Sequence, residues 1–311
     1  MTHNLENLPT INHELCISCG SCVAVCPDNI LETDTSGRIV IAAVKCMQCG
    51  HCYAVCPVEA VSTPFLENEL NLVSIQGLHK DRGAEVSPGA LIHLMQQRRS
   101  CRIFTADPVD VSLLEDLVKI GSTAPSGTNS QGWEFVLLPR REEVIELGTI
   151  TADYYRRLNK KAANPALRFM VRLFGNDALG HYFRTYYQSI EEGLREWQKN
   201  GADRLFHGAP AAIVVAGDTS SSCPAEDALL ASQNILLVAH SLGLGTCLIG
   251  FVVEAAKRDR SINAALGLDI NQKIYSVIAV GYPGIEFVRP AGRKPVSLKI
   301  AGLGQEQMRR T

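Results

Sequence analysis

The spacing of apolar residues along this chain predicts several amphipathic helices. Ser87 followed by Pro88 is typical of a helix start, with Ser as the N-cap and Pro at the first helical position. Ser112 and Glu115 form a capping-box pattern at the start of a second helix. The apolar stripe after the first start comprises Leu91, Ile92 and Met95. Both segments therefore place apolar residues at helical spacing behind a polar start signal.

Continuous apolar runs between these helices predict buried strands. The predicted strands are 133–138, 211–216 and 274–280. A helical region over 151–208 is broken near Pro165 and Gly175, and a helix over about 225–242 is apolar on most faces, which predicts burial in a core or an interface. No regular alternation of strand and helix indicates a doubly wound sheet, so the pattern favours an α+β fold.

Two cysteine runs near the N-terminus share the spacing C-x2-C-x2-C-x3-C-P. The first run contains Cys16, Cys19, Cys22 and Cys26, and the second contains Cys46, Cys49, Cys52 and Cys56. This spacing is typical of bacterial iron–sulfur proteins, in which the fourth Cys of each run ligates the other cluster. We therefore predict one [4Fe–4S] cluster on Cys16, Cys19, Cys22 and Cys56, and a second on Cys46, Cys49, Cys52 and Cys26.

Structural zinc is the alternative use of C-x2-C pairs. Zinc does not account for a third Cys at the same short spacing, for the Pro, or for duplication of the whole run. The runs resemble the two-cluster bacterial ferredoxin family over about residues 10–62. That resemblance implies one-electron transfer.

The composition describes a protein of 311 residues with a formal net charge of −2 and 46% hydrophobic residues, which is enough for a substantial core. Residues 1–70 hold eight acids and two bases, which is −6, so the rest carries +4. The acidic N-terminal part is able to dock with the basic remainder through complementary charge. Alternatively, the acidic residues only increase solubility, and both interpretations stay open.

Thiolate clusters indicate a reducing compartment. The N-terminus lacks the basic and apolar regions of a signal peptide, and no uninterrupted stretch of about 18 apolar residues is present. We therefore expect a cytoplasmic protein with no membrane partner. The slightly negative net charge gives no support for nucleic-acid binding.

Several motifs after residue 90 resemble, in their order and spacing, the nitroreductase family of FMN enzymes. They are R-R-S-x-R-x-F, P-S-G-x-N-x-Q-x-W-x-F, G-L-G-T-C-L-I-G, G-Y-P and R-K-P. The resemblance covers about residues 90–300. It implies an α+β, homodimeric fold with FMN at the subunit interface. G-L-G-T-C-L-I-G follows a helix and is not G-x-G-x-x-G, so no dinucleotide fold is predicted.

The resemblance also implies FMN-binding roles for particular residues. Arg98, Arg99 and Ser100 match positions near the phosphate and ribityl chain, and Arg102 matches a basic residue at the pyrimidine edge, where a cation stabilises the charge of reduced flavin. Arg293 matches a C-terminal phosphate contact. Further matches are Pro125, Ser126, Gly127 and Asn129 in a loop from the partner subunit, and Leu248, Ile249 and Gly250 beside the ring.

Region 151–208 is where the family varies and shapes its substrate pocket. Its many basic residues indicate either a solvated helix face or a site for an anionic substrate or acidic carrier protein. Its tyrosines, including Tyr154, Tyr155, Tyr186 and Tyr187, either pack in the core or donate a proton to substrate. Cys247 is expected to be a small buried residue without a nucleophilic role.

Together these observations predict a two-cluster domain over 1–65, a linker over 66–88 and a nitroreductase-like FMN domain over 89–311. Electrons would pass through the clusters to FMN, which reduces a small organic substrate such as a nitroaromatic, a quinone or another activated acceptor. The donor is a ferredoxin or NAD(P)H. The alternative is an electron-transfer adaptor between ferredoxin and a protein partner, without a substrate of its own. An open pocket over the flavin favours the enzyme.

Overall fold

The computed structural model describes residues 8–43, 45–67, 69–75, 86–175 and 177–300. Parts of the predicted linker and the last eleven residues of the predicted FMN domain lie outside these ranges. Within the described residues, no helix has both the length and the apolar character needed to cross a membrane.

The cysteine-bearing N-terminal part, called the head below, is built from very short elements. They are β1 (Thr10–Ile11), α1 (Ser21–Ala24), β2 (Leu31–Thr33), β3 (Ile39–Ile41), α2 (His51–Ala54) and β4 (Val61–Ser62). β1 pairs with β4 and β2 pairs with β3, each antiparallel. Buried Ile30, Leu31, Ile39 and Val61 form a small core against which cysteines of both runs pack.

The remainder, called the body, is built from helices on both sides of one sheet. Its elements are α3 (Pro88–Gln97), α4 (Val111–Gly121), β5 (Trp133–Leu138), α5 (Arg141–Ala163), α6 (Pro165–Leu173), α7 (Ala178–Thr185), α8 (Tyr187–Asn200), β6 (Ala211–Asp218), α9 (Pro224–Ser241), β7 (Gly245–Leu248), α10 (Gly250–Ala256), α11 (Arg260–Ala265) and β8 (Gln272–Gly281). The sheet order is β5–β6–β8–β7, and every pairing is antiparallel.

Strand β6 lies in the centre of the sheet and separates two apolar cores. Ala212 and Val214 pack on the side of α5, α10 and α11, whereas Ala211, Ile213 and Val215 pack on the side of α4 and α9. Successive side chains of a strand point to opposite faces, so its unbroken apolar run fills both cores. The three predicted strands and the helical breaks near Pro165 and Gly175 are confirmed.

Two expectations about local structure are corrected, at the start of α4 and in the burial of β5. Asp110, not Ser112, caps α4: its carboxylate accepts the Ser112 backbone N–H at 2.8 Å and the Ser112 hydroxyl at 2.6 Å. The predicted Ser112–Glu115 capping box is therefore wrong, because the Ser112 side chain is already bonded to an acid. Strand β5 is an edge strand in which only Leu138 is buried. Helix α9 buries one face and leaves Leu229 and Leu230 exposed on another.

A buried carboxylate fastens the segment after the head to the body. Asp116 of α4 is fully buried and accepts the backbone N–H groups of Val73 at 2.9 Å and Ser74 at 2.7 Å. Lys119 donates to the carbonyl of Asn71 at 2.7 Å, and Leu72 is buried. The described part of the predicted linker is therefore packed on α4.

Candidate active site and iron–sulfur centres

The structure brings the eight cysteines of the two runs together as two sets of four. One small pocket is lined by Cys16, Cys19, Cys22 and Cys56, and another is lined by Cys26, Cys46, Cys49 and Cys52. Each pocket takes three cysteines from one run and the fourth from the other. These are the predicted sets, and a group of four thiolates around one pocket fits a cubane cluster.

The two runs adopt the same backbone shape, thirty residues apart. Gly20 and Gly50 each precede a one-turn helix at φ of 75° and 71°. Ser18 and Gln48, the residues between the first two cysteines of each run, have positive φ of 53° and 58°. These left-handed positions tighten the chain around each pocket.

Backbone amides point at several of the predicted ligand sulfurs. Ile30 N–H donates to Cys26 Sγ at 3.4 Å, and Ala60 N–H donates to Cys56 Sγ at 3.2 Å, so the repeat extends to these bonds. Gln48 N–H donates to Cys46 Sγ at 3.3 Å. Hydrogen bonds to cluster sulfurs are one of the levers that set a cluster's reduction potential.

Burial raises the pKa of the thiols of Cys22, Cys46 and Cys52, whereas a hydrogen bond with Ser21 lowers that of Cys19. The buried thiols are therefore neutral without metal at neutral pH. Iron must displace their protons when it binds, because the thiolate is the ligand.

Arg98, Arg99 and Arg102 form a group of cations at the C-terminal end of α3. None of them is paired with an acidic side chain in the described part of the chain. Burial lowers the pKa of Arg98, and the positive charges of Arg99 and Arg293 lower it further. Arg293 also lines a small pocket together with Met95 and Gln96 of α3, so it lies on the same side of the body as Arg98. Uncompensated guanidinium groups of this kind suit a phosphate.

Ser100 lies along the edge of β7, which positions this cation group beside the Leu248–Gly250 segment. Ser100 and Thr246 form an isolated parallel bridge, and Cys101 N–H donates to the Thr246 carbonyl at 2.8 Å. A Cβ at Gly245 would lie 2.8 Å from the Cys101 side chain, so Gly allows this close approach. Cys247 is buried, as expected, and burial raises its thiol pKa.

A cavity of about 1200 Å³ opens next to these segments. Arg102 and the three residues Leu248, Ile249 and Gly250 line one side. Aromatic residues from the helical region and α10 line another, namely Tyr154, Tyr155, Tyr182, Tyr186 and Phe251. Such an apolar cavity with a few polar groups is the usual form of a small-molecule site.

The buried tyrosines support packing more than proton donation. Tyr155 donates to the Phe251 carbonyl at 2.9 Å, and Tyr182 donates to Asn159 Oδ1 at 2.6 Å. Burial raises the pKa of Tyr154, Tyr155 and Tyr182, so these phenols stay neutral. The hydroxyl protons of Tyr155 and Tyr182 are therefore already in hydrogen bonds within the chain. For these two residues this favours packing in the core over proton donation to a substrate.

The basic residues of region 151–208 are largely used within the chain. Arg156 pairs with Asp153, and Arg157 pairs with Asp259. The Arg168 guanidinium lies 3.9 Å from the centre of the Phe183 ring. Lys161 and Arg204 line the cavity, and Arg204 is itself paired with Glu196.

Two polar residues of the cavity were missed by the sequence analysis. Ser276 on β8 is 3% exposed, and its hydroxyl has no hydrogen-bond partner among the described residues. His207 is half-buried; burial lowers its pKa, and the nearby charge of Arg102 lowers it further. An orphaned buried hydroxyl is costly unless a ligand completes it, so Ser276 fits a site for a polar ring edge. No motif marked either residue, because each is a single polar residue outside the matched runs.

The predicted partner-reaching loop is held at the other end of α9. Gly127 N–H donates to Asp227 Oδ1 at 2.9 Å, and the Ser130 hydroxyl donates to Asp227 Oδ2 at 3.2 Å. Asp227 is buried. Within the loop, Asn129 Nδ2 donates to the carbonyl of Gln48 in the head at 2.8 Å. The loop therefore contacts the backbone between two predicted cluster ligands.

The two groups of predicted FMN residues do not meet within one chain. The loop is fastened to Asp227 near the start of α9, whereas Arg98 lowers the pKa of His240 near its end, second to burial. At about 1.5 Å per residue, Asp227 and His240 are roughly 20 Å apart along the helix axis. Within one chain the two groups therefore lie at opposite ends of α9.

Comparison with known families matches most of the body. The model of the nitroreductase family matches residues 95–282, and the model of a 4Fe–4S dicluster domain matches residues 8–57. The chain belongs to the nitroreductase family. The predicted family and the α+β fold with an N-terminal two-cluster domain are confirmed, as is the enzyme class, an FMN-dependent oxidoreductase, at the level of the family. The dicluster match favours iron–sulfur clusters over zinc.

Similar proteins share about a quarter of the aligned residues. A protein named NADH dehydrogenase from Thermus thermophilus is 26% identical over 201 residues, which is 64% of this nitroreductase-family chain and 89% of that protein. An iodotyrosine deiodinase from Daphnia pulex is 23% identical over 211 residues, 65% of this chain and 62% of that protein. The crystal structure of a nitroreductase with bound FMN from Bacteroides fragilis aligns with a TM-score of 0.49 and 21% identity, covering 68% and 98% of the two chains.

Proposed function

We propose that this nitroreductase-family protein is an iron–sulfur flavoprotein in which electrons pass through the two clusters to FMN, and FMN reduces a small aromatic or quinone-like acceptor. The observation that carries this proposal is the Asn129–Gln48 hydrogen bond of 2.8 Å, which joins the predicted FMN loop to the second cysteine run. Asp116 also holds the segment that follows the head on α4, through the backbone N–H groups of Val73 and Ser74.

The residues fit FMN. Arg98, Arg99 and Arg293 would hold the phosphate, Arg102 the pyrimidine edge, and Ser276 has a free hydroxyl in the same cavity. The site needs a second copy of the chain, because the 125–129 loop lies at the far end of α9. When bound, FMN supplies the change from one-electron to two-electron chemistry.

The cavity favours an enzyme over an electron-transfer adaptor. The space of about 1200 Å³ beside the Leu248–Gly250 segment exceeds the roughly 300–1,000 Å³ of a typical single-ligand pocket, so it has room for a substrate beside the flavin, which an adaptor does not need. The tyrosine and phenylalanine rings that line it provide stacking and edge contacts for a flat substrate. The chain is 26% identical to a 4-nitrobenzoate reductase from Pseudomonas putida, which supports an aromatic acceptor.

Anaerobic stopped-flow reduction of bound FMN by a reduced ferredoxin tests this function. We expect rapid reduction in the reconstituted wild type and slow reduction in both Cys16→Ala and Cys46→Ala. The Cys223→Ala variant is the matched control, since Cys223 lies outside both pockets. Equal rates in all four proteins would contradict a path through the clusters.

A further inference from the structure

The second cysteine run is joined to the predicted flavin loop by a short relay. Gln48 N–H donates to Cys46 Sγ at 3.3 Å, and the carbonyl of the same residue accepts from Asn129 Nδ2 at 2.8 Å. One residue therefore connects a predicted ligand sulfur to a predicted FMN-loop side chain through two hydrogen bonds. Asn129 is half-buried, and its loop is fixed by Asp227.

The first cysteine run faces solvent. Cys19 is exposed, and its neighbours Leu15 and Ile17 are 51% and 61% exposed. Ser18 occupies the position that matches Gln48, and no hydrogen bond of the first run reaches the body in the described ranges. The two clusters of the pseudo-repeat therefore lie in different surroundings, one open to a donor and one against the body.

We infer that the second cluster, on Cys46, Cys49, Cys52 and Cys26, is the exit cluster, and that its electrons cross to a flavin held by the partner subunit's arginines. This inference rests on the proposed function. Asn129 is a positioning residue, since it holds the backbone at Cys46 against the flavin loop. The crossing follows from the length of α9: Asp227 holds the loop near the start of the helix, whereas Ser100, two residues after Arg98, bridges Thr246 just beyond its end, roughly 20 Å away on the same chain.

Each transfer moves one electron and oxidises the reduced second cluster. Two transfers and one proton from solvent convert oxidised FMN into its reduced anion. The second cluster would then be reduced again by the first. The first cluster would be reduced in turn by an external low-potential one-electron donor of the ferredoxin class. No atom is transferred between the subunits.

Mixed dimers of separately tagged chains test the crossing. In the first dimer, Cys46→Ala is on one chain and Arg98→Ala on the other; in the second, both changes are on one chain and the other chain is wild type. Each dimer retains one intact Arg98 half-site, so we expect equal FMN content. We expect rapid flavin reduction only in the first dimer, because only there does an intact second cluster face an intact partner arginine site.

The outcomes separate the crossing from the proposed function. Rapid reduction in the second dimer alone would mean that electrons stay within one subunit, and the crossing would be wrong although the path through the clusters stands. Rapid reduction in both would remove the second cluster from the path. Slow reduction in both, with a rapid wild type, would also overturn the crossing. A slow wild type would overturn the proposed function itself.

Cys46→Ala is able to disturb folding of the head. Asn129→Asp therefore takes its place as a second variant in the same two mixed dimers. Asp keeps the size of the side chain and tolerates the φ of 53° at this position, but it removes the N–H donor. Loss of an outer-shell partner typically costs about tenfold or more, and we expect that loss in the flavin reduction rate.

The same variant has a readout that does not depend on flavin turnover. In FMN-free protein, an EPR-monitored redox titration should show a changed potential for the second cluster and an unchanged potential for the first. Asn200→Asp is the matched control, since it adds the same charge on the surface and retains the oxygen that caps Ala202 N–H. Unchanged potentials for both clusters in Asn129→Asp, with wild-type flavin reduction, would overturn the relay.

Discussion

The head and the body complete their cofactor sites in different ways. In the head, one chain supplies all four cysteines of each pocket, three from one run and the fourth from the other. In the body, the predicted FMN residues form two groups at opposite ends of α9. A short repeat thus gathers each set of four cysteines within one chain, whereas α9 keeps the two groups of predicted FMN residues roughly 20 Å apart, and we expect a second copy of the chain to complete each site.

The largest expected effect tests the exchange of ligands in the head. Cys56→Ala should abolish the same cluster signal in the EPR spectrum as Cys16→Ala, although Cys56 belongs to the second run. Cys26→Ala should pair in the same way with Cys46→Ala. If Cys56→Ala instead removed the signal lost in Cys46→Ala, each run would hold its own cluster and the comparison with the body would fail.

The junction between head and body gives the next largest effect. Asp116→Ala leaves the backbone N–H groups of Val73 and Ser74 without their buried acceptor. Hydrogen bonds to a charged group are typically worth about 1.5–3 kcal/mol, so we expect a loss of that size in the free energy of unfolding. Backbone amide hydrogen exchange at residues 73–75 should also become faster in Asp116→Ala.

Asp110→Ala is the control on the same helix. Asp110 caps α4 at an exposed position, and loss of such a cap typically costs about 1 kcal/mol. Equal losses of stability in the two variants, without faster exchange at residues 73–75 in Asp116→Ala, would show that Asp116 does not fasten the head to the body.

A smaller effect separates folding from cofactor binding in the body. Ser276→Ala removes a buried hydroxyl that has no partner among the described residues, so the FMN-free protein should be equally stable or slightly more stable. FMN affinity should fall, because a hydrogen bond to the cofactor is lost; a bond of about 1 kcal/mol corresponds to roughly fivefold in Kd. Thermal unfolding and fluorescence titration measure the two effects. Unchanged FMN affinity would exclude the hydroxyl from the site.

Short sequence patterns predicted the structural features that depend on the pattern itself, and they missed the features that depend on long-range packing. The Ser87 N-cap and the strand at 133–138 depend on residues close in sequence, and the structure contains both; the cysteine sets join two distant runs, but the duplicated spacing of those runs already predicts the pairing. The capping box at Ser112 failed because two neighbouring acceptors competed for one helix start. The orphaned hydroxyl of Ser276 and the Asn129–Gln48 bond depend on long-range packing, which no short pattern contains.

The smallest expected effect uses two histidines to distinguish the arginines of the body. Burial lowers the pKa of both; Arg102 adds to the effect at His207, and Arg98 adds to it at His240. Arg102→Gln should therefore raise the pKa of His207 partway toward its ordinary value and leave His240 unchanged, and Arg98→Gln should do the reverse. NMR titration of the imidazole protons in FMN-free protein measures both.

The sign of the linked stability follows from the same lowered pKa. A histidine whose folded-state pKa lies below that of the unfolded chain, about 6.5, stabilises the fold fully above that pH, and the contribution is lost as the pH falls toward the folded-state value. Arg102→Gln should weaken this acid sensitivity, since it narrows the difference between the two states. If both histidines shifted together in either variant, Arg98 and Arg102 would act as one diffuse charge, and the assignment of one to the phosphate and the other to the ring edge would lose its electrostatic support.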